Sequence, residues 1–309
     1  MKKTEFYIPS NDGVTKLHGY VWAPSVQPRF ILQLVHGMVE YIDRYDAFAS
    51  FLAANDIAVI GHDHLGHGKS ITDESKLGFF AEKDGYKIVI DDMHAVTEEG
   101  KKRFPGVKNY ILGHSMGSFM VRRFLAVYPK DVDGAIIMGT GYIPGALAGV
   151  GKTMSKAVRG MRGQFHQSKL LTNLALGSNN KPFEPARTPC DWLSRNTDNV
   201  DKYMADPLCG FMFTSSAYTD FFTVISKIAK QEDFDKIPRD LPLLLTSGEL
   251  DPVGGKDAVE KLAADYEKLG FTDVTVQLYP EDRHEILNEV DRDKVFANIL
   301  AWLVDKAEG

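Results

Sequence analysis

Cysteine is almost missing: Cys190 and Cys209 are the only two in 309 residues. Two thiols that far apart make no zinc knuckle, and a chain of this length can bury a core without disulfide staples. Both are expected to be free in a reducing cytoplasm, because the opening MKKTEFYIPSNDG has two lysines but no apolar stretch of the secretory kind. No apolar run approaches the ~20 residues that a bilayer-spanning helix requires. Positive charge is in deficit, with 36 Lys and Arg against 42 Asp and Glu, which argues against nucleic acid as a partner. Repeats and low-complexity tracts are absent. With 44% hydrophobic and 25% charged residues the chain is not disordered, so its function must come from a folded site.

Short β-branched and apolar runs alternate with longer helical patterns, the signature of an α/β protein whose mostly parallel sheet carries helices on both faces. Residues 4–8 and 15–22, divided by Ser10-Asn11-Asp12-Gly13, predict an antiparallel hairpin at a sheet edge. Strands follow at Phe30–Val35, Ile57–His62, Tyr110–Leu112 and Gly134–Met138, with helices at Tyr41–Ala54, Tyr86–Phe104 and Met116–Tyr128 between them. From Gly145 to about Ser215 no strand-like run occurs, and prolines stand at 182, 185, 189 and 207. The pattern resumes with helix Tyr218–Lys230, strand Leu241–Thr246, helix Lys256–Leu269, strand Val274–Tyr279 and helix Asn288–Ala307. An eight-stranded sheet is therefore expected, with residues 1–144 and 216–309 as the core and 145–215 as an inserted cap after the sixth strand.

In open α/β sheets, sites form at the carboxyl ends of the strands. Ser115 follows the fifth strand within ILGHSMGS (111–118), flanked by Gly113 and Gly117. Glycines at those two places suit a serine standing on a sharp strand-to-helix turn. Asp251 follows the seventh strand in SGELDPVGG, and His284 the eighth in PEDRHEILNE. Serine is a weak nucleophile until an imidazole takes its proton, and the imidazole needs a carboxylate to hold its tautomer and charged form. Ser115, Asp251 and His284 stand in the chain order of a hydrolase triad, with Glu249 and Asp282 as rival acids. Two backbone N–H groups must also meet the oxyanion; Met116, after the serine, and Met38, in Val35-His36-Gly37-Met38, are placed to supply them.

The segments HGMVEYIDRY (36–45), GHDHLGHGKS (61–70), GHSMG (113–117), GELDPV (248–253) and RHEILNE (283–289) bracket these strand ends. Together they resemble the monoacylglycerol lipase and lysophospholipase branch of the serine α/β-hydrolases, which is grouped with S33-type serine hydrolases. DWLSRNTDNVDKYMADPLCGF (191–211) is similar to bacterial members. The resemblance implies the α/β-hydrolase fold, Ser115 as nucleophile, Asp251 as acid, His284 as base, and Met38 and Met116 as oxyanion amides. It implies no metal or organic cofactor. Two positions depart: the family usually carries glycine where Val39 stands, and a second glycine where Ser118 follows Gly117.

The run His62-Asp63-His64-Leu65-Gly66-His67 approaches a metal-hydrolase pattern, but Gly66 occupies the place of the required carboxylate, and His94, His114 and His166 stand alone. A tight loop is the expectation there, with His36 and His114 as hydrogen-bonded supports. In the cap, Val150, Met154, Val158, Met161 and Phe165 recur at helical steps, with Lys152, Lys156, Arg159, Arg162 and Lys169 around them. That pattern predicts a lid helix packing its stripe on the core and turning its basic side to water or to an anionic lipid surface.

The expected activity is hydrolysis of a small, lipid-derived carboxylic ester, with an acyl-enzyme intermediate. An S33-type aminopeptidase or amidase would need a cap acid to hold a free amine, for which Glu184 and Asp191 are the early candidates. A haloalkane dehalogenase or epoxide hydrolase would have aspartate at position 115. A non-catalytic binding module on this fold would lack one of the three side chains.

Overall fold

The computed structural model describes residues 1–308. Its strands are β1 (Lys2–Pro9), β2 (Lys16–Ala23), β3 (Phe30–Val35), β4 (Ala58–His62), β5 (Lys108–His114), β6 (Gly134–Met138), β7 (Leu243–Gly248) and β8 (Val274–Tyr279). They form one sheet in the order β1-β2-β4-β3-β5-β6-β7-β8. The β1–β2 hairpin and the β2–β4 pairing are antiparallel; the other pairings are parallel. Apart from Lys108, every residue of β3 to β7 is buried, which explains why these strands read as continuous apolar runs.

Alternation along each strand divides the core in two. Ile31, Val35, Ile111, Ile137 and Leu245 point to one face, which is covered by α2 (Gly85–Arg103), α3 (Met116–Val127), α7 (Ser215–Ala229) and α8 (Gly255–Lys268). Leu32, Leu34, Leu112, Ile136 and Leu244 point to the other, covered by α1 (Asp46–Ala54) and α9 (Arg292–Glu308). Between β6 and α7 the chain forms α4 (Gly145–Arg162), α5 (Lys169–Leu176) and α6 (Thr197–Ala205) and adds no strand to the sheet.

Several boundaries differ from the sequence pattern for local reasons. The helix expected over 41–54 opens with a 3-10 turn, Ile42–Tyr45. α7 starts at Ser215 rather than Tyr218 because Thr214 Oγ1 accepts from Ala217 N at 3.2 Å and caps it. The last helix splits into a 3-10 turn, Ile286–Asn288, and then α9.

The stripe predicted for α4 holds only in part: Val158 is buried and Met154 packs against the core, while Val150 and Met161 face outward. Ala148, Gly151, Ser155 and Val158 are buried, whereas Val150 is 53% and Met161 75% exposed. A Cβ on Gly151 would lie 2.7 Å from the Phe222 ring, so α4 meets α7 through its small residues and not through its large ones. Phe165 lies beyond the helix, which ends at Arg162, and rests on Phe79 with ring centres 4.6 Å apart.

Close backbone packing holds α3 against the sheet. A Cβ on Gly113 would lie 2.4 Å from the Gly117 carbonyl oxygen, and one on Gly117 would lie 2.2 Å from that of Val35. Backbone cannot yield as a side chain can. Gly117→Ala is therefore expected to cost about 3 kcal/mol or more in urea unfolding, and an unchanged midpoint would contradict this packing.

Candidate active site

Ser115 sits between β5 and α3 with φ 53° and ψ −121°, a backbone conformation that side-chain-bearing residues rarely adopt. Its N–H donates to the Met138 carbonyl at 2.9 Å, and its carbonyl accepts from Ser118 N at 2.9 Å and Ser118 Oγ at 2.6 Å. The hydroxyl at position 118 thus braces the turn.

Asp251 and His284 come from the turns after β7 and β8. Both oxygens of Asp251 accept from His284 Nδ1, at 2.9 and 3.0 Å, and the carboxylate is also held by Val253 N at 2.9 Å and Ser247 Oγ at 3.1 Å. Burial opposes the charge on Asp251, but His284 and these donors outweigh it and lower the pKa. The rival acids are engaged elsewhere: Asp282 pairs with Arg195 at 2.6 Å, and Glu249 lies 4.0 Å from Lys256. With Nδ1 committed, His284 Nε2 is the ring nitrogen left for chemistry. His284 and Ser115 line one cavity of about 30 Å³. Among the described residues no hydrogen bond joins the Ser115 hydroxyl to His284, a contact that commonly tightens only when substrate is bound.

On its other side Ser115 opens into a cavity of about 280 Å³ whose lining includes Met38, Met116, Phe119, Leu147, Phe222 and Val253. In the loop after β3, Gly37 N donates to Glu40 at 2.6 Å and Val39 N to His67 Nε2 at 3.3 Å. The N–H groups of Met38 and Met116 have no such partner among the described residues, so two free donors border the serine. Val39, in the place of the usual glycine, has φ 52°, a cost of about 1–2 kcal/mol for a side-chain-bearing residue.

Behind this loop lies a buried ionic group. Arg44 Nη1 donates to Glu40 at 2.6 Å and to Glu285 at 2.7 Å, and Nη2 donates to Glu285 at 2.7 Å. The Glu40 oxygen that takes Gly37 N also accepts from the Tyr45 hydroxyl at 2.8 Å and lies 3.3 Å from His114 Nδ1. Burial alone would raise both glutamates; Arg44, joined by His114 and His36 at Glu40 and by Asn199 at Glu285, outweighs it and holds them below the ordinary range. The His114 pKa is raised: burial lowers it, but the bond to Glu40, the charges of Glu40 and Glu285 and the contact with the His284 carbonyl together outweigh burial. Its Nε2 lies 3.2 Å from the His284 carbonyl.

A model of the serine aminopeptidase (S33) family matches residues 26–291. The chain belongs to that family. Among curated relatives of this S33 protein, a monoacylglycerol lipase of Mycolicibacterium smegmatis is 26% identical over 287 residues, covering 92% of this chain and 91% of its own. A human monoglyceride lipase is 25% identical, covering 91% of this chain and 84% of its own. The crystal structure of a thermostable carboxyl esterase from Bacillus coagulans, in complex with glycerol, superposes with a TM-score of 0.91 at 26% identity and covers 99% of both chains.

Sequence reasoning did not single out Glu40, Arg44, Glu285, Trp192 or Tyr203 around this S33 site. All lie inside the quoted segments, and the four-residue spacing of Glu40 and Arg44 was a visible sign of a pair. Trp192 stands with its ring centre 4.9 Å from that of His284. His114, expected as a hydrogen-bonded support, joins the ionic group, whereas His94, expected to stand alone, has Nδ1 2.5 Å from Asp131. His94, Glu98 and Asp131 form a cation-spaced group among the described residues, yet the Lys101 ammonium already sits 3.0 Å from Glu98 and 3.4 Å from Asp131.

The GHDHLGHGKS segment forms a tight loop around Asp63, which accepts from Ile42 N at 2.8 Å, Lys69 N at 2.9 Å and His18 Nδ1 at 2.7 Å. His36, His62, His64 and His67 cluster beside it, fully buried, with ring centres of successive neighbours 4.3 to 5.1 Å apart. Burial lowers the pKa of all four, those of His62 and His67 to about 3. A histidine that titrates near 6.5 when unfolded and near 3 when folded stabilises fully above 6.5. That stability is lost as pH falls through the window between, at about 1.4 kcal/mol per pH unit. His62→Phe is expected to flatten the acid limb of the stability curve by that slope between about pH 6 and 4. Parallel limbs for the variant and the parent in urea titrations would contradict the burial of a neutral imidazole.

Proposed function

We propose that this carboxylic ester hydrolase cleaves monoacylglycerols through an acyl-enzyme on Ser115, with Asp251 and His284 as its partners and residues 145–215 as a cap over the site. The observation that carries the reading is the Asp251–His284 pair beside a strained serine that opens into an apolar cavity of about 280 Å³. A single acyl chain suits such a lining, because apolar burial supplies about 25 cal/mol per Å² of surface removed from water.

In this mechanism Ser115 Oγ attacks the ester carbonyl carbon as His284 Nε2 takes its proton. The carbonyl oxygen becomes an oxyanion held by Met38 N–H and Met116 N–H, the latter at the start of α3 where the helix dipole favours negative charge. Collapse breaks the ester C–O bond, the alcohol departs with the proton from His284, and an acyl-serine remains. Water then attacks that ester as His284 takes its proton; collapse breaks the bond to Ser115 Oγ, which recovers the proton from His284, and the carboxylic acid is released. Asp251 stabilises the imidazolium formed in each half.

The aminopeptidase reading finds less support. Asp191 is spent on Arg187 N at 2.6 Å and Thr188 N at 3.1 Å, Glu184 is exposed, and neither lines the cavities beside Ser115. A fluorophosphonate is expected to modify Ser115 and no other residue, as read by peptide mass spectrometry. Asp251→Asn is expected to lower kcat about 10⁴-fold with the structure retained. A panel of monoacylglycerol, lysophosphatidylcholine and aminoacyl-naphthylamide should favour the first; preference for the amide would overturn the reading.

The cap also presents an interface. Leu147, Val150, Met161, Leu170 and Leu174 are exposed, and Leu147 and Leu174 also line the acyl cavity. Lys156, Arg162 and Lys169, on the same two helices, are exposed as well. No helix among the described residues is long and apolar enough to cross a membrane. We infer a cytoplasmic location from the two unpaired cysteines, and transient contact of the cap with an anionic lipid surface from its exposed apolar and basic residues. Sedimentation with phosphatidylglycerol vesicles should exceed that with phosphatidylcholine, and high salt or Met161→Asp should reduce it. Equal sedimentation with both lipids would contradict this role.

A further inference from the structure

Val39 is gripped from two sides. Its N–H donates to His67 Nε2 at 3.3 Å, and its carbonyl accepts from Gly210 N at 2.9 Å and from the Tyr203 hydroxyl at 3.3 Å. The donors and acceptor come from distant parts of the chain: His67 from the loop after β4, Tyr203 from α6, and Gly210 from the stretch beyond it. Each side chain is itself fixed. His67 Nδ1 donates to the Leu65 carbonyl at 3.0 Å, which leaves Nε2 as an acceptor, and its ring lies against Phe80, Phe211 and Phe213. The Arg44 guanidinium lies over the Tyr203 ring, 4.9 Å from its centre.

The gripped residue is in a conformation it would not choose. A β-branched side chain at φ 52° is strained, and release would carry φ back to negative values. Because the carbonyl side is tied to residues 203 and 210, that rotation would fall on the preceding peptide and swing Met38 away from the Ser115 cavity. Glycine would hold the same turn without help. Valine makes the turn conditional on its grip.

We propose that His67 and Tyr203 are positioning residues that hold Val39 in the left-handed turn and so keep Met38 N–H at the oxyanion position. The inference rests on the ester-hydrolase reading and on Met38 as a donor in it. It predicts coupling between residues 39, 67 and 203 in the chemical step and little effect on ground-state binding.

The test compares p-nitrophenyl butyrate kinetics for the parent, Tyr203→Phe and His67→Phe, each with Val39 and with Val39→Gly. Phenylalanine keeps an aromatic ring at both positions; at 203 it removes only the hydroxyl, and at 67 it removes Nε2 together with the Nδ1 donor to the Leu65 carbonyl. With Val39 present, each substitution should lower kcat about three- to tenfold, the worth of one hydrogen bond, at nearly constant KM. A trifluoromethyl ketone, which mimics the tetrahedral oxyanion, should lose affinity by a similar factor. In the Val39→Gly background the same substitutions should change kcat by less than about twofold. If His67→Phe does not fold, Tyr203→Phe carries the comparison alone. Equal losses in both backgrounds, or losses confined to KM, would overturn the inference while leaving the enzyme assignment intact. Absence of hydrolysis by the parent protein would overturn the assignment itself and the inference with it.

Discussion

A positive-φ serine on a turn with no room for side chains is the constraint around which the rest of the molecule is arranged. Such a backbone costs on the order of 1–3 kcal/mol and persists only where its surroundings over-determine it. Here the surroundings are Gly113 and Gly117, whose bare Cα atoms let α3 close on β3 and β5, the Met138 carbonyl that takes Ser115 N, and the Ser118 hydroxyl on the Ser115 carbonyl. The turn lifts the hydroxyl above the sheet and leaves the first N–H groups of α3 unspent. A raised hydroxyl and an unspent N–H beside it thus follow from one backbone decision.

A second layer ties the separate loops to that turn. Arg44 joins Glu40 of the loop after β3 to Glu285 of the loop after β8, while His114, next to the serine, touches both Glu40 and the His284 carbonyl. Removing one partner from a buried group of this kind typically costs 3–5 kcal/mol, since the remaining charge is left unpaired. The stretch 191–199 fastens to the same histidine loop through Glu285 N on the Leu193 carbonyl at 2.7 Å, Asn196 on the Asn288 carbonyl at 3.0 Å and Arg195 on Asp282 at 2.6 Å. α4, by contrast, rests on α7 through an apolar seam of small residues. The segment between β6 and α7 is therefore held rigidly at one end, beside the imidazole, and by nonpolar packing at the other, beside the apolar cavity.

Much of this was legible in the letters. Parallel strands buried on both faces read as unbroken apolar runs, and Ser115 and Asp251 follow two of these, β5 and β7; His284 follows β8, a partly exposed edge strand that reads by its β-branched residues and position in the alternation. The sheet and the positions of all three along it could thus be read without coordinates. The packing of α4 could not. Hydrophobic periodicity favours the face with the larger side chains, whereas close helix contact selected Gly151 and Ser155 and left Val150 and Met161 outside. The Arg44 group was equally silent, because a buried arginine in a sequence looks like any exposed one until its two glutamates are brought together. The left-handed turn at Val39 was hidden for the same reason: its grip comes from residues 28 and 164 positions away.

The central claim is that Ser115, His284 and the amides of Met38 and Met116 act on one reacting carbon. A crystal structure of the protein carrying a phosphonate on Ser115 tests it most directly. The account predicts the phosphonyl oxygen within hydrogen-bonding distance of both amides, about 2.7–3.1 Å, with the imidazole of His284 next to Ser115 Oγ and the alkyl group in the apolar cavity. A phosphonyl oxygen turned away from both amides, or an imidazole that stays out of reach of Oγ in the adduct, would contradict it.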